Sequence, residues 1–504
     1  MITARISHRL ESSPALQLNV LILSHVLIWT IVFLAVNYPG GLTDDMLETF
    51  SWGQEYAMGY YKHPPFYSWV AGLWFEFFTT NNLNYYLLAS LNSAVGLLGV
   101  WFVAGRYTRG LNRLAAVLLL ELVPLYTLQS YNFNANIFSL SIWPWTVYAF
   151  LRSFEDRNYF WTIIFGALGA ADVLTKYYGG ILLASCVLTS VCTKDWRSYY
   201  KSAHPYLSVA VFAACMVPHA LWVFSAPVTP FDYLEGKMHG FPYLRKVEKA
   251  LKTFASGIAF HALLFLCLYY LRKEVLLKFK GMMPRAWCEP KIRILTLVSL
   301  LPFVLTIFCG LVLGVKLSSR FLIPAFALVP LWLLVVLQAQ CNWRFIKVSS
   351  ILAVSFALVL VVGSPINSYL RLKDPLKEHI DPRQQVADFV GKEWRKFSHR
   401  PMQLAAGTQS YSLAVVYYDP MNPSHYTEFN RGYAPWVHED MLGNKTMAVI
   451  CLMQDQNCLS QSDGLAQKYE GGRVKQEKFS SHNRAFWFDG ETIEFQLTML
   501  EPAQ

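Results

Sequence analysis

The 504-residue chain is 54% hydrophobic and only 15% charged, with a mean hydropathy of +0.30, where a soluble domain carries roughly 25% charged residues. That composition excludes a soluble globular enzyme and marks an integral membrane protein. The net charge of +10 does not indicate a nucleic-acid partner, because Lys and Arg fall in short clusters between apolar runs and read as topology signals.

Apolar runs of bilayer-crossing length lie near 17–37, 85–104, 112–129, 136–152, 159–174, 177–192, 204–225, 254–271, 292–314, 320–338 and 345–364, so about eleven transmembrane helices are predicted. The first run is too long for a signal peptide and lacks a small-residue cleavage site, so it is expected to stay as a helix. Between the first two runs lies a loop, 38–84, that gathers acids, a lysine and a histidine. Thr43 or Asp44 is predicted to cap a helix here, with Asp45, Glu48, Trp52 and Glu55 on one face. This helix is expected to lie on the membrane surface with its acids toward water. Pro64-Pro65 cannot continue a helix, which leaves Lys62 and His63 on a stiff turn. The shorter run Phe66–Phe78, interrupted by Glu76, reads as an interfacial segment.

Orientation follows from the basic residues in alternate connections. Arg5 and Arg9, Arg106 to Arg113, Arg152 and Arg157, Lys194 to Lys201, Arg272 to Arg285, and Arg344 with Lys347 all fall on one side if the helix count holds. That side is predicted to be the cytoplasm. The 38–84 loop, the 130–135 loop, the turn at Lys176, the 226–253 loop, the Lys316–Arg320 turn and everything after 365 then share the outer side. The chain is divided accordingly into a transmembrane domain, 1–370, carrying the outer loop 38–84, and an outer α/β domain, 371–504. In the latter, Gln403–Ala406, Leu413–Tyr417, Met447–Leu452 and Ala485–Phe488 read as strands, and 382–397 as an amphipathic helix. Cys451 and Cys458 lie there, where an oxidising compartment would let them pair. The other seven cysteines show no metal-ligand spacing.

No phosphate-binding glycine loop, zinc helix or nucleophile elbow is present. What recurs is polar residues at the outer ends of apolar runs: Asp45, Glu48, Lys62, His63, Asn134, Asn136, Asp172, Lys176, Tyr177, Lys316, Ser319 and Arg320. Ionisable groups at membrane depth are expensive and usually functional. A lipid-phosphate-linked sugar is a substrate suited to them, because Lys and Arg would stabilise charge on a departing phosphate. A carboxylate would take the proton of an incoming hydroxyl.

Asp45, Glu48, Trp52, Gly59-Tyr60 and Lys62-His63-Pro64-Pro65 resemble the first-loop signature of GT-C glycosyltransferases of the protein O-mannosyltransferase and lipid A aminoarabinose transferase superfamily. Asn136 before Trp143, and Thr175-Lys176-Tyr177, are similar to two later landmarks. Tyr418-Asp419-Pro420 and Ala434-Pro435-Trp436 resemble the outer domain of the bacterial branch. The resemblance implies an α-helical polytopic membrane protein with a small periplasmic α/β domain, placed in the bacterial inner membrane. Its implied partners are a polyprenyl-phosphate-linked sugar donor, a lipid-anchored acceptor such as lipid A or core oligosaccharide, and membrane lipids, with no nucleic acid. It also implies catalytic roles for Asp45 and Glu48. Lys62, His63, Lys176, Tyr177, Lys316 and Arg320 would lie near the donor phosphate, and Asp44, Asn134 and Asn136 near sugar or acceptor. Many members carry an aspartate where this chain has Asn136, which puts a two-carboxylate mechanism in doubt. The Lys-His-Pro-Pro turn and Asn134-Ala135-Asn136 look most like galacturonosyltransferases. No cofactor is implied, although Asp45 with Glu48 could take a divalent cation.

Plainer roles compete at each position. Asp44 and Asp45 could serve only the positive end of a helix, Lys62 and Lys176 could snorkel to headgroups, and the asparagines could bond between helices. The basic stretch 237–252 could grip an anionic acceptor or sit at a charged surface. The rival function is a transporter or flippase of lipid-linked sugars without transfer chemistry, which predicts charges deep in several helices and repeats between halves.

Overall fold

The computed structural model describes residues 13–238, 242–259, 262–270, 281–312, 319–372 and 380–503. Five of its helices are long and apolar enough to cross a bilayer: Pro14–Val36, Asn82–Tyr107, His204–Ser225, Pro290–Val312 and Trp343–Leu370. Of the other expected runs, 136–152 and 159–174 form the helices Ala135–Phe154 and Tyr159–Thr175, and 254–271 lies partly outside the described residues. The 112–129 run is an α-helix, Gly110–Leu118, followed by two 3-10 turns at Leu119–Leu122 and Leu128–Tyr131, with Pro124 between them. The 320–338 run is likewise divided among 3-10 turns at Ser319–Leu322 and Pro324–Phe326 and the helix Val329–Val336. Proline removes a backbone donor and clashes with the preceding turn, so hydropathy read one helix where the backbone makes several pieces. The expected number of about eleven spans therefore reduces, among the described residues, to five that meet the length and hydropathy requirement.

The chain forms two compact units. One contains 1–30, 89–224 and 231–358, and its core is built from aliphatic side chains of Asn82–Tyr107, Gly110–Leu118, Ala135–Phe154, Pro290–Val312 and Val329–Val336. The helix Ala135–Phe154 is buried almost all round, as a central helix must be. Basic connections meet at one end of this unit. Arg106 donates to Asp156 at 2.8 Å and Arg152 pairs with Asp156 at 2.6 Å. Arg157 lies over the Tyr199 ring at 4.7 Å. Arg285 donates to the Val336 carbonyl at 2.6 Å, and Asn112 exchanges 2.7 Å bonds with Ala339 and Cys341. Connections assigned to one side from charge alone are thus physically joined.

The other unit contains 31–88, 225–230 and 359–504. Its centre is a mixed sheet of β1 (Leu404–Gly407), β2 (Ser424–Tyr426), β3 (Met447–Leu452), β4 (Arg473–Ala485) and β5 (Phe488–Glu501), in the order β2-β1-β3-β5-β4. β1 runs parallel to β2 and β3, while β5 is antiparallel to β3 and β4. The expected amphipathic helix is Arg383–Phe397, burying Val386, Val390 and Trp394. Two strand expectations are corrected. Leu413–Tyr417 lies within the helix Gln409–Tyr418, buried on every side, where an apolar run carries no period to separate helix from strand. Ala485–Phe488 is the turn end of the β4–β5 hairpin. Cys451 and Cys458 form a disulfide bond.

The first loop belongs to this same unit. It folds as two helices, Asp44–Gly53 and Phe66–Phe77, packed so closely that a Cβ at Gly72 would come within 2.3 Å of the Gly53 carbonyl oxygen. Phe50 and Phe75 meet the Tyr417 ring edge-on at 4.9 and 5.5 Å. The helix expected to lie on a membrane surface with its acids toward water is instead enclosed by segments more than three hundred positions later in the chain, with Trp52 1% and Glu48 8% exposed.

Candidate active site

Thr43 caps the first loop helix by accepting from the Met46 N–H at 3.3 Å, which sets Asp44 and Asp45 in its first turn, where carboxylates suit the dipole. Their surroundings then diverge. Asp44 pairs with Arg383 at 3.0 Å and accepts from the Ser410 hydroxyl at 3.0 Å. Arg383 is itself buried, donates to the Leu42 carbonyl at 2.9 Å and lies 3.4 Å from Asp381, whose carboxyl burial pushes up against that cation. Asp45 remains half-buried, its carbonyl accepting from the Thr49 hydroxyl at 2.6 Å.

One turn further on, Glu48 accepts from Lys62 at 2.7 Å and from Gln409 at 3.0 Å. Burial works against the Lys62 charge, but the Glu48 carboxylate and the Tyr61 hydroxyl outweigh it and hold the ammonium above the ordinary lysine range. Lys62 and Glu48 therefore stand as one ion pair, whereas the sequence reading gave them separate tasks. His63 shapes its turn: its carbonyl accepts from the Tyr60 N–H at 3.0 Å and its ring meets Trp52 and Tyr67 edge-on. Tyr60 stacks on Trp52 at 4.8 Å, and Trp436 meets Tyr60 edge-on at 6.3 Å. The Tyr418 hydroxyl donates to Asn82 at 2.7 Å. The two outer-domain landmarks thus close on the first loop.

The second group lies in the other unit. Asn134 caps the helix Ala135–Phe154, accepting from the Asn136 and Ile137 N–H groups at 2.9 and 3.1 Å, so its side chain is spent on the backbone. Asn136 accepts from Lys176 at 2.6 Å, and the Lys176 ammonium sits 4.3 Å from the Phe321 ring centre. Arg320, next in the chain to Phe321, is exposed. Lys176 owes its place to a break after the helix Tyr159–Thr175, followed at once by a 3-10 turn at Tyr177–Gly179. Gly179 is needed there, because a Cβ would fall 2.7 Å from the Asp172 carboxyl carbon. Asp172 is fully buried and accepts from the Trp143 indole at 3.0 Å, which gives it a structural partner. The Tyr177 hydroxyl bonds His219 at 2.9 Å and its ring stacks on Phe231. Lys316 lies outside the described residues.

Each group thus combines a cation held by a polar partner with aromatic faces. Sequence reasoning missed Arg383, Gln409, Ser410, Phe321 and His219. Arg383 did leave a signal, because a cation in the first turn of a helix opposes the dipole and needs an anion to hold it. The others leave none. Among the described residues, no three His, Cys, Asp or Glu side chains converge as a metal would require.

Residues 62–222 match the sequence profile of the family described as dolichyl-phosphate-mannose-protein mannosyltransferase. The crystal structure of ArnT from Cupriavidus metallidurans bound to undecaprenyl phosphate is similar over 95% of this chain and 97% of that one, with a TM-score of 0.58 and 13% identity. The same protein in its apo state gives 0.57 and 12% over 96% and 98%. No curated protein sequence matches. At this identity the likeness is one of fold.

Proposed function

We propose that the chain is a GT-C-type glycosyltransferase of the inner membrane, multi-pass with its C-terminal domain on the periplasmic side, that moves a sugar from a polyprenyl-phosphate donor to a lipid-anchored envelope glycan such as lipid A or core oligosaccharide; the family match over 62–222 and the likeness in fold support this reading. The observation that carries this reading is the half-buried Asp45 in the first turn of a capped helix, one turn before the buried Glu48–Lys62 ion pair. The undecaprenyl phosphate held by the similar ArnT structure supports the choice of carrier.

In the proposed step an acceptor hydroxyl oxygen attacks the anomeric carbon while the bond from that carbon to the phosphate oxygen breaks. The hydroxyl proton passes to Asp45, and polyprenyl phosphate leaves with the electron pair, inverting the anomeric centre. Lys176, Arg320 and Lys316 are assigned to the phosphate. Glu48 holds Lys62 and the turn at His63 in place, and Asn136 holds Lys176. Asn134 and Asp44 have framework roles, and Tyr177 flanks the phosphate lysine. If the acceptor is itself a phosphate no base is needed, and Asp45 orients the sugar.

The test uses purified protein in lipid nanodiscs with labelled donor and lipid A. Carrier phosphate is expected only when acceptor is present, and Asp45→Asn should lower kcat at least about 100-fold, as loss of a general base does. Movement of intact donor between leaflets with no carrier phosphate released would sink the reading in favour of transport.

A further inference from the structure

We propose that the hollow beside the tip of the β4–β5 hairpin is a saccharide-binding site for the headgroup of a lipid-anchored glycan. Its volume is about 560 Å3, within the usual range for a small-molecule site. The hairpin turns at Phe486, which has a positive φ of 55°, and this turn projects Trp487 with 76% of its surface exposed. Tyr38 packs against Phe486 at 5.3 Å, so aromatic rings form one wall. The opposite wall is the helix Arg383–Phe397. Val386, Ala387 and Val390 are its buried face, and Gln384 and Asp388 line the hollow from its exposed face.

A pyranose ring presents a face of C–H groups that packs on an aromatic ring, and a rim of hydroxyls that pairs with amides and carboxylates. Both halves of that pattern are present. A bare phosphate fits less well: Asp388 would repel it, and Arg484, the cation lining the hollow, already faces Asp489 at 3.5 Å. The hollow also lies at the ends of two candidate membrane spans. Tyr38 follows directly after the span Pro14–Val36, and Phe488 packs at 4.8 Å on Tyr369, in the last turn of the span Trp343–Leu370. Ser364 donates to the Ala35 carbonyl at 3.3 Å, which ties the ends of these two spans together. A sugar bound here can keep its lipid tail in the bilayer. That this glycan is the acceptor rests on the transferase reading; the binding does not.

Saturation-transfer NMR on the full chain in nanodiscs, with a soluble deacylated core oligosaccharide as probe, tests the site. The wild type should bind, and Trp487→Ala and Asp388→Asn should each weaken binding at least about ten-fold, the loss expected for a central contact. Equal binding by wild type and both variants, or no saturation transfer from the wild type to the oligosaccharide, overturns the proposal. So does displacement of the oligosaccharide by glycerophosphoglycerol, which would assign the hollow to phospholipid headgroups. A wild type that binds the oligosaccharide yet never consumes donor would refute the transferase reading and leave this site standing.

Discussion

Arg383 draws Asp44 into an ion pair and a hydroxyl contact, while Asp45, its neighbour in the same helical turn, stays half-buried. The two aspartates should therefore respond differently to the same change. Asp44→Asn keeps the size of the side chain but loses the charge facing Arg383. It should lower the melting temperature with kcat within a few-fold of wild type, whereas Asp45→Asn should lower kcat at least about 100-fold. Thermal unfolding and donor turnover on the same two preparations separate the roles, and equal turnover losses would return both aspartates to the framework. His425 gives a second residue-level expectation. It is buried between Ser412 at 2.8 Å and Thr427 at 3.1 Å, and burial, reinforced by Lys62, pushes its pKa down to about 3. An unfolded histidine titrates near 6.5, so between that pH and about 3 the unfolded chain binds one more proton than the folded one. Stability should fall as pH drops through this window, by at most about 1.4 kcal/mol per pH unit from this residue. His425→Asn should flatten that part of a stability-versus-pH curve. Asp45 and Lys62 were legible in the sequence as unusual residue types beside a membrane span. The pairing of Lys62 with Glu48 was not, because Gln409, which completes it, is more than three hundred residues away.

At the scale of elements, close approach of the two loop helices depends on two glycines. A side chain at position 72 would run into the Gly53 carbonyl, so Gly72→Val should force the helices apart and cost about 1–3 kcal/mol, read as a fall in melting temperature. Position 464, where a Cβ meets nothing within 4 Å, serves as the control: Gly464→Ala should not destabilise. In the other unit, a polar network crosses between the first span and a 3-10 turn. His25 bonds Glu121 at 2.7 Å and Ser93 at 2.8 Å, and Trp29 donates to Glu121 at 2.8 Å. Glu121→Leu leaves the His25 ring and the Trp29 indole without their shared acceptor, at a cost of about 1–3 kcal/mol for each buried group so stranded. Detergent-solubilised protein should melt correspondingly earlier, and unchanged melting would mean that the network contributes nothing to holding the span. The cap at Thr43 was legible and acts where the sequence places it, whereas the capping role of Asn134 was not read, and Pro64-Pro65 stands before a helix that starts at Phe66 rather than at the end of one. The buried helix Gln409–Tyr418 was not, since an element enclosed on all sides has no polar face to reveal its period.

For the molecule as a whole, the basic residues in alternate connections set the expected sidedness, and the contacts that join several of those connections agree with it. Lysine and arginine are costly to translocate, so charge records sidedness even where prolines obscure the number of spans. The association of the first loop with the C-terminal domain in one compact unit escaped that reading, because composition changes at 365 while the contacts that build the unit do not follow composition. Sidedness itself makes the largest-scale prediction. Cys192 is exposed and lies beside the basic connection Lys194 to Lys201, and Cys288 is exposed beside Arg285; both are expected on the cytoplasmic face. Cys451 and Cys458 are joined in the sheet domain, as an oxidising compartment permits. Lys468, half exposed in that domain, is a place to introduce a thiol. In variants otherwise free of unpaired cysteine, a membrane-impermeant maleimide applied to spheroplasts should label Lys468→Cys and spare Cys192 and Cys288, and all three should react once the membrane is permeabilised. Labelling of Cys192 in sealed spheroplasts would turn the chain over in the bilayer and put Asp45, which shares a unit with the sheet, on the face where no sugar is delivered to an envelope lipid.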